Sequence, residues 1–238
     1  MNITIVGAGR CGTSFDSALR SVGHHVTMLH HDETHLVRDA DLVLLSVPDD
    51  AIAATARSLP TGDYVVAHVA GSRTLEVLSS HAHVASLHPL VALPSREVGA
   101  QRLLGATYCV AGHPLVAEVA ASLGGRVIAL SDDQRTTYHA TAVVAANHLV
   151  ALMGHVQTLA SSVGLALEDF LPLASQALSD VIEVGPISAL TGPASRGDMA
   201  TIDAHLASIP EAERSTYVAM ANKAFELAEQ RRVQLPAN

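Results

Sequence analysis

The sequence predicts an α/β domain built on a mainly parallel sheet, followed by an all-helical domain. Three observations predict it. Strand-length apolar runs alternate with helix-length segments from the start of the chain to about residue 130. The first run leads directly into Gly7-Ala8-Gly9-Arg10-Cys11-Gly12. Beyond residue 130 only helical periodicity is found, which puts the expected domain boundary at about 131, giving domains 1–130 and 131–238.

Each element follows from local pattern. Residues 3–6 read as the first strand, 13–22 as a helix stopped by Gly23, and 26–29 as the second strand. Strands are expected at 41–47, 64–69 and 84–87, with helices at 51–58 and 74–80 between them. A further strand at 107–110, a helix at 114–123 and a strand at 126–130 complete the series. Strands joined by helices of this length form crossover units, hence the parallel sheet. Only the eleven residues 30–40 separate strands two and three, too few for a full crossover helix. From 132 to 163 the pattern is helical and nearly all apolar, which predicts a helix buried on most of its surface. Further helices are expected at 167–180, 182–190, 199–206 and 212–232, with 191–198 as a loop.

Composition narrows the function classes. Apolar residues make up 49% of the chain but aromatics only 3%, so the core must be built from Ala, Val and Leu. A net charge of −9 with no basic cluster argues against a nucleic-acid partner. Cys11 and Cys109, the only cysteines, form no CxxC motif and fit a reducing, cytoplasmic compartment. The chain enters a strand at once, so no leader is expected. No 18-residue uninterrupted apolar run exists, the richest stretch (140–159) being broken by Asn147, His148, His155 and Gln157, so no membrane span is expected. Fourteen histidines invite a metal reading, yet His81-x-His83 has no Cys or carboxylate cluster beside it. The adjacent pairs His24-His25 and His30-His31 point apart, and no metal site is expected.

The glycine loop has the context a dinucleotide site requires, an apolar strand before it and a helix after it. Gly7 permits the tight turn, Gly9 lets backbone approach a diphosphate, and Gly12 allows helix against strand. Where an acidic residue would hold a ribose diol, this chain has His30, with Asp32 two residues on. Imidazoles there tilt the cofactor towards NADP, and Arg10 could approach a phosphate or else be a solvent-exposed side chain. Ser46-Val47-Pro48 and Ser72 follow strands three and four and are candidates to line the nicotinamide side, or else turn or cap residues.

His88, at the end of strand five, is a candidate proton carrier, or else a structural histidine bonded to a loop carbonyl. The long helix adds Tyr138, His139, Asn147, His148 and His155. Asn147 and His148 sit among apolar turns, so at least one is expected to find a polar partner or line a cavity. The one lysine, Lys223, lies far along the chain, which disfavours a lysine proton donor. Arg196 could clamp a carboxylate or phosphate, and Asp198 could orient it or cap the next helix.

Several stretches carry a resemblance. They are Ile5-Val6-Gly7-Ala8-Gly9-Arg10-Cys11-Gly12, Leu44-Leu45-Ser46-Val47-Pro48-Asp49 and Leu87-His88-Pro89-Leu90. Tyr138-His139-Ala140 with Ala146-Asn147-His148-Leu149-Val150, and Leu190-Thr191-Gly192-Pro193 with Arg196-Gly197-Asp198, are more specific than the glycine loop. Together they resemble Rossmann-like proteins with a DUF2520 C-terminal domain, a group described as NADP- or F420-dependent oxidoreductases. More distantly the chain is similar to pyrroline-5-carboxylate reductases, prephenate dehydrogenases and 6-phosphogluconate-dehydrogenase-like enzymes. The resemblance implies a nucleotide-binding domain, a 6-phosphogluconate-dehydrogenase-like helical domain and a homodimer formed through it. It places family signatures on His88, Tyr138, His139, Asn147, Thr191, Gly192, Pro193, Arg196 and Asp198.

The expected function is hydride transfer between NADP(H) and a small, acidic carbonyl, imine or alcohol. His88 or His139 would handle the proton, Asn147 orient the reacting group and Arg196 hold the substrate anion. The alternatives are a non-catalytic dinucleotide sensor and an F420-dependent enzyme, since a thin adenine-side wall would weaken dinucleotide binding.

Overall fold

The structure, a computed structural model, describes residues 1–234. The chain divides into two compact units, residues 1–146 and the residues from 147 on.

The first unit is a seven-stranded sheet in the order β2-β1-β3-β4-β5-β6-β7. Strands β1 (Asn2–Val6), β2 (His25–Leu29), β3 (Leu42–Leu45), β4 (Val65–His68) and β5 (Val84–Pro89) run parallel. Strand β6 (Thr107–Gly112) turns back antiparallel to β5, and β7 (Arg126–Ala129) follows β6 in parallel. Helices α1 (Arg10–Ser21), α2 (Ile52–Ser58), α3 (Arg96–Leu103) and α4 (Leu115–Ser122) cover the faces.

Sheet alternation explains the core. Leu42 and Leu44 of β3 join one buried cluster with Ile3, Phe15 and Leu19, while Val43 and Leu45 join the other with Val6 and Ile52. Both faces are covered, so β3 reads as four consecutive buried apolar residues. The 30–40 connection holds only the 3-10 turn Thr34–Leu36, as its length requires.

Three details depart from the sequence pattern. The segment expected as a helix at 74–80 is a single 3-10 turn, Leu75–Leu78. Helix α3 was not legible, because Gly99 interrupts a mostly polar run. The glycine is there because α1 packs closely: a Cβ at Gly99 would lie 2.1 Å from Ser14 Oγ. Helix α1 starts three residues earlier than expected, placing Gly12 inside it.

After a 3-10 turn at Asp132–Gln134 come α5 (Arg135–Val143), a π-turn at Val144–His148 and α6 (Leu149–Ser162), with the division between the units falling within the π-turn. The expectation that this segment is mostly buried fails. Only 6% of its most apolar window is buried, with Val144, Leu149 and Val150 exposed. By length and composition alone this is, among the described residues, the one helix apolar enough to cross a membrane.

The second unit continues with α7 (Leu171–Ala189), α8 (Gly192–Arg196), α9 (Met199–Ser208) and α10 (Glu211–Gln234). The two helices expected at 167–180 and 182–190 meet at a kink, non-helical at Gly185 (φ 76°) and followed by Pro186. The expected loop at 191–198 contains the short helix α8. The second unit holds no strand among the described residues.

Candidate functional site

The order β2-β1-β3 reverses direction at β1, and open parallel sheets bind ligands outside the strand ends at such a point. Gly7 follows β1 with φ 112°, and its N–H donates to Leu29 O at 2.9 Å, while Ser46 N–H donates to Val6 O at 2.8 Å. Two of the three glycines are sterically required. A Cβ at Gly7 would lie 2.3 Å from Ser46 O, and one at Gly12 would lie 1.9 Å from Gly7 O. Gly9 is different, because a Cβ there would meet nothing within 4 Å. The loop is therefore compressed at its ends and open at its middle.

The open middle faces the start of α1. Gly9 caps this helix with no side-chain hydrogen bond, and the first turn carries no acidic residue. Its unsatisfied N–H groups and positive dipole end suit an anion. Ala8 and Arg10 are exposed here, and Cys11 is half-buried. Burial raises the Cys11 thiol pKa, with the neighbouring Ser46 hydroxyl acting against it. Ser46 Oγ is itself buried without a nitrogen or oxygen partner. Val47 is half-buried and Pro48 exposed. His30 is exposed beyond β2, its backbone N–H donating to Glu33 Oε2 at 2.8 Å.

A second group of side chains lies at the same edge of the sheet, beyond β4 and β5. Ser72 Oγ donates to Asp49 Oδ2 at 3.1 Å, tying the loop after β4 to the loop after β3. His88 Nδ1 and the Tyr138 hydroxyl are 2.6 Å apart, with their rings edge to face. The rings of His88 and His139 are 6.4 Å apart between centroids. Both press on Gly71, where a Cβ would lie 2.8 Å from His88 Nε2 and 2.7 Å from His139 Cδ2. Any side chain at position 71 would displace the two imidazoles.

Beneath them is a polar cluster that the sequence did not reveal. Arg135 is fully buried; its Nε donates to Asp132 Oδ1 at 2.9 Å and its Nη2 to Ser86 Oγ, while Nη1 has no partner. Ser86 is in register with His68, which is sealed at the end of β4 with neither ring nitrogen hydrogen-bonded. Burial first, and the Arg135 charge second, push the His68 pKa down to about 4. His88 is also pushed down to about 4 by burial, then by His139 and Arg135, with Asp49 opposing. Tyr138 is raised well above the ordinary phenol range, mainly by burial. Arg135 was overlooked because it begins a helix and its neighbours in sequence are polar. Its one legible signal is Asp132, three residues earlier and able to pair with it along a helical turn.

The remaining expected residues fall in the second unit. Asn147 and His148 are both exposed in the π-turn, and neither side chain has a hydrogen-bond partner among the described residues. His155 instead pairs with Glu213. Arg196 is exposed at the end of α8. Asp198 is the cap of α9, accepting from Thr201 N–H at 3.1 Å and Thr201 Oγ1 at 2.7 Å, which lowers its pKa. A concavity of about 650 Å³ lies beyond the ends of β6 and β7, between Gly112 and Leu130, and Asp132, the carboxylate that holds Arg135, is part of its lining.

Comparison with known proteins agrees with this architecture. Residues 107–224 match the family model described as Domain of unknown function (DUF2520). Among solved structures, the chain is similar to a protein from Bacteroides fragilis provisionally assigned as an NADP oxidoreductase (23% identity, 94% of this chain and 98% of that one, TM-score 0.78). It is similar to protein TM1727 from Thermotoga maritima (21% identity, 97% and 99% covered, TM-score 0.78). A 1-pyrroline-5-carboxylate reductase from Streptococcus pyogenes also matches (15% identity, 95% and 98% covered, TM-score 0.63). No curated protein matches the chain. The fold is thus a Rossmann-like sheet followed by a mostly helical unit, with residues 107–224 DUF2520-like.

Proposed function

We propose that the protein is an oxidoreductase that uses NADP(H) to move a hydride to or from a small, acidic carbonyl, imine or alcohol. One observation carries this reading: the glycine loop is closed where backbone must turn and open where a diphosphate must approach. Backbone N–H groups at the start of α1 hold the diphosphate, Arg10 meets a phosphate, and His30 sits on the ribose side. Ser46, Val47, Pro48 and Ser72 border the nicotinamide side. Such a cofactor supplies or accepts a hydride when bound. His88 and His139 are then the groups at hand for the substrate oxygen or nitrogen. Asn147 orients the reacting group and Arg196 holds the substrate anion; both side chains are exposed. The free state of Cys11 and Cys109 fits a reducing, cytoplasmic setting.

Titration of the purified chain with NADP(H), NAD(H) and F420 tests the cofactor assignment. NADPH is expected to bind most tightly. Gly9→Ala should weaken binding about tenfold or more without lowering thermal stability, because the added methyl meets only the ligand. Gly12→Ala should lower both, because its methyl meets Gly7 O. Binding of F420 alone would replace the cofactor, and tight NADPH binding with no turnover on any carbonyl or imine would favour a sensor. No binding at all would sink the reading.

We further propose a homodimer formed through the helical unit. Among the described residues of that unit the only buried apolar side chains are Ala160, Ala194, Ile202 and Ala228. Val150, Leu173, Ile182 and Val184 are exposed on α6 and α7. So little internal core does not stabilise five helices, and a second copy supplies matching apolar faces. Light scattering should give twice the chain mass, falling to one chain for Ile182→Asp. A wild-type monomer, or partition of the chain into lipid vesicles, would overturn the dimer.

A further inference from the structure

The two ring nitrogens of His88 have different surroundings. Nδ1 lies 2.6 Å from the Tyr138 hydroxyl. Nε2 has no partner among the described residues, yet it is not sealed from solvent. Cys109, whose backbone is in register with His88 on the adjacent strand β6, is a further neighbour of the Tyr138 hydroxyl and helps to raise its pKa. The three groups can form a row: thiol, phenol, imidazole.

The row can run in two directions. In one, Cys109 S–H donates to Tyr138 Oη, Tyr138 O–H donates to His88 Nδ1, and the imidazole proton is left on Nε2. In the other, His88 Nδ1–H donates to Tyr138 Oη and the phenol donates to sulfur. The first pairs a strong donor with a strong acceptor and gives the thiol its weak donor role. The second spends the phenol on thiol sulfur, a weak acceptor.

We infer that Tyr138 is a positioning residue that fixes His88 as the neutral tautomer protonated at Nε2, so that His88 offers a ligand an N–H donor. The inference rests on reading His88 as facing substrate. It narrows the substrate class, since an N–H donor serves a carbonyl oxygen or the oxyanion that forms from it. A protonated iminium has no lone pair to receive that bond. A carbonyl is the better fit.

The groups facing His88 keep it neutral. Arg135 and His139 approach from α5 and act against a second proton, together with burial. Asp49, in the loop after β3, is the one opposing charge, and Cys109 and Tyr138 contribute neutral dipoles. A neutral imidazole of this kind stabilises developing negative charge without giving up its proton.

Long-range proton–nitrogen correlation spectra of the full chain, with ¹⁵N-labelled histidine, read the tautomer directly. His88→Gln assigns the signals. Nε2 should be protonated and Nδ1 should behave as an acceptor, unchanged from about pH 8 down to about pH 5.5. Tyr138→Phe should give a mixture of both tautomers, whereas Cys109→Ala, which removes only the weak donor, should keep the wild-type pattern. A proton on Nδ1 in the wild type, a midpoint near the ordinary histidine value, or no change in Tyr138→Phe would overturn the inference. The spectra need no cofactor. Correct tautomer with no dinucleotide binding sinks the oxidoreductase reading alone, and dinucleotide binding with the opposite tautomer sinks this inference alone.

Discussion

The two units of this chain solve the burial problem differently. The first closes two apolar clusters, one on each face of its sheet, with side chains such as Ile5, Leu44, Leu45 and Leu87 fully sealed. The second buries mostly alanines and leaves Val150, Leu173 and Ile182 in contact with solvent. A sheet covered on both faces is stabilised by its own residues. A set of helices with apolar faces outward is stabilised by whatever covers them. The candidate chemistry is divided the same way: Arg135 is buried and His88 and Tyr138 half-buried, while Asn147 and Arg196 are exposed.

The largest expected effect tests that contrast directly. Leu44→Ala removes a fully buried side chain between β1 and β4 and should cost about 2–5 kcal/mol in urea unfolding. Ile182→Ala removes a side chain that is 80% exposed and should change the stability of a dilute monomer by less than about 0.5 kcal/mol. Comparable losses at both positions would mean that the helical unit has a core of its own, and the contrast would be broken.

The same contrast explains what the sequence could reveal. Strands β1 to β5 were legible because each is a short buried apolar run bounded by turn residues, and His88 was legible by its place at a strand end. Gly7, Gly9 and Gly12 were legible because strand, turn and helix follow one another without a gap. Arg135 and His68 were not, since their significance comes from Ser86 standing between them on β5. Burial of the 132–163 helix was misjudged for a physical reason. An apolar pattern records that a surface is to be covered, and it does not record whether this chain or another molecule covers it.

A second effect, of intermediate size, separates the units by acid. His68 and His88 are both held near a pKa of about 4, against an ordinary value near 6.5. The unfolded chain takes up a proton on each as pH falls through about 6.5, and the folded chain does so only near 4. Stability should therefore be intact above that window and decline as pH falls through it, by at most about 3 kcal/mol per histidine. Unfolding midpoints in urea at about pH 7 and about pH 4.5 measure this. His68→Gln removes one of the two titrating groups and should flatten the decline, with the change confined to the first unit by hydrogen exchange. An unchanged slope would show that His68 finds a partner for its proton in the folded protein.

The smallest expected effect compares two helix caps. Ser95 Oγ accepts from Val98 N–H at 3.3 Å at the start of α3, and Asp198 caps α9 through Thr201. Ser95→Ala should cost about 1 kcal/mol, spread through a unit whose core keeps α3 in place. For Asp198→Ala the consequence should be local. Helix α9 buries one large apolar side chain, Ile202, so little besides the cap and its own backbone holds the first turn. Amide exchange near Thr201 should quicken while the unfolding midpoint stays nearly constant. If exchange quickened equally throughout the second unit, its helices would be cooperating through contacts that their exposed faces do not show. The division between a self-supporting sheet and a dependent helical layer would then have to be redrawn.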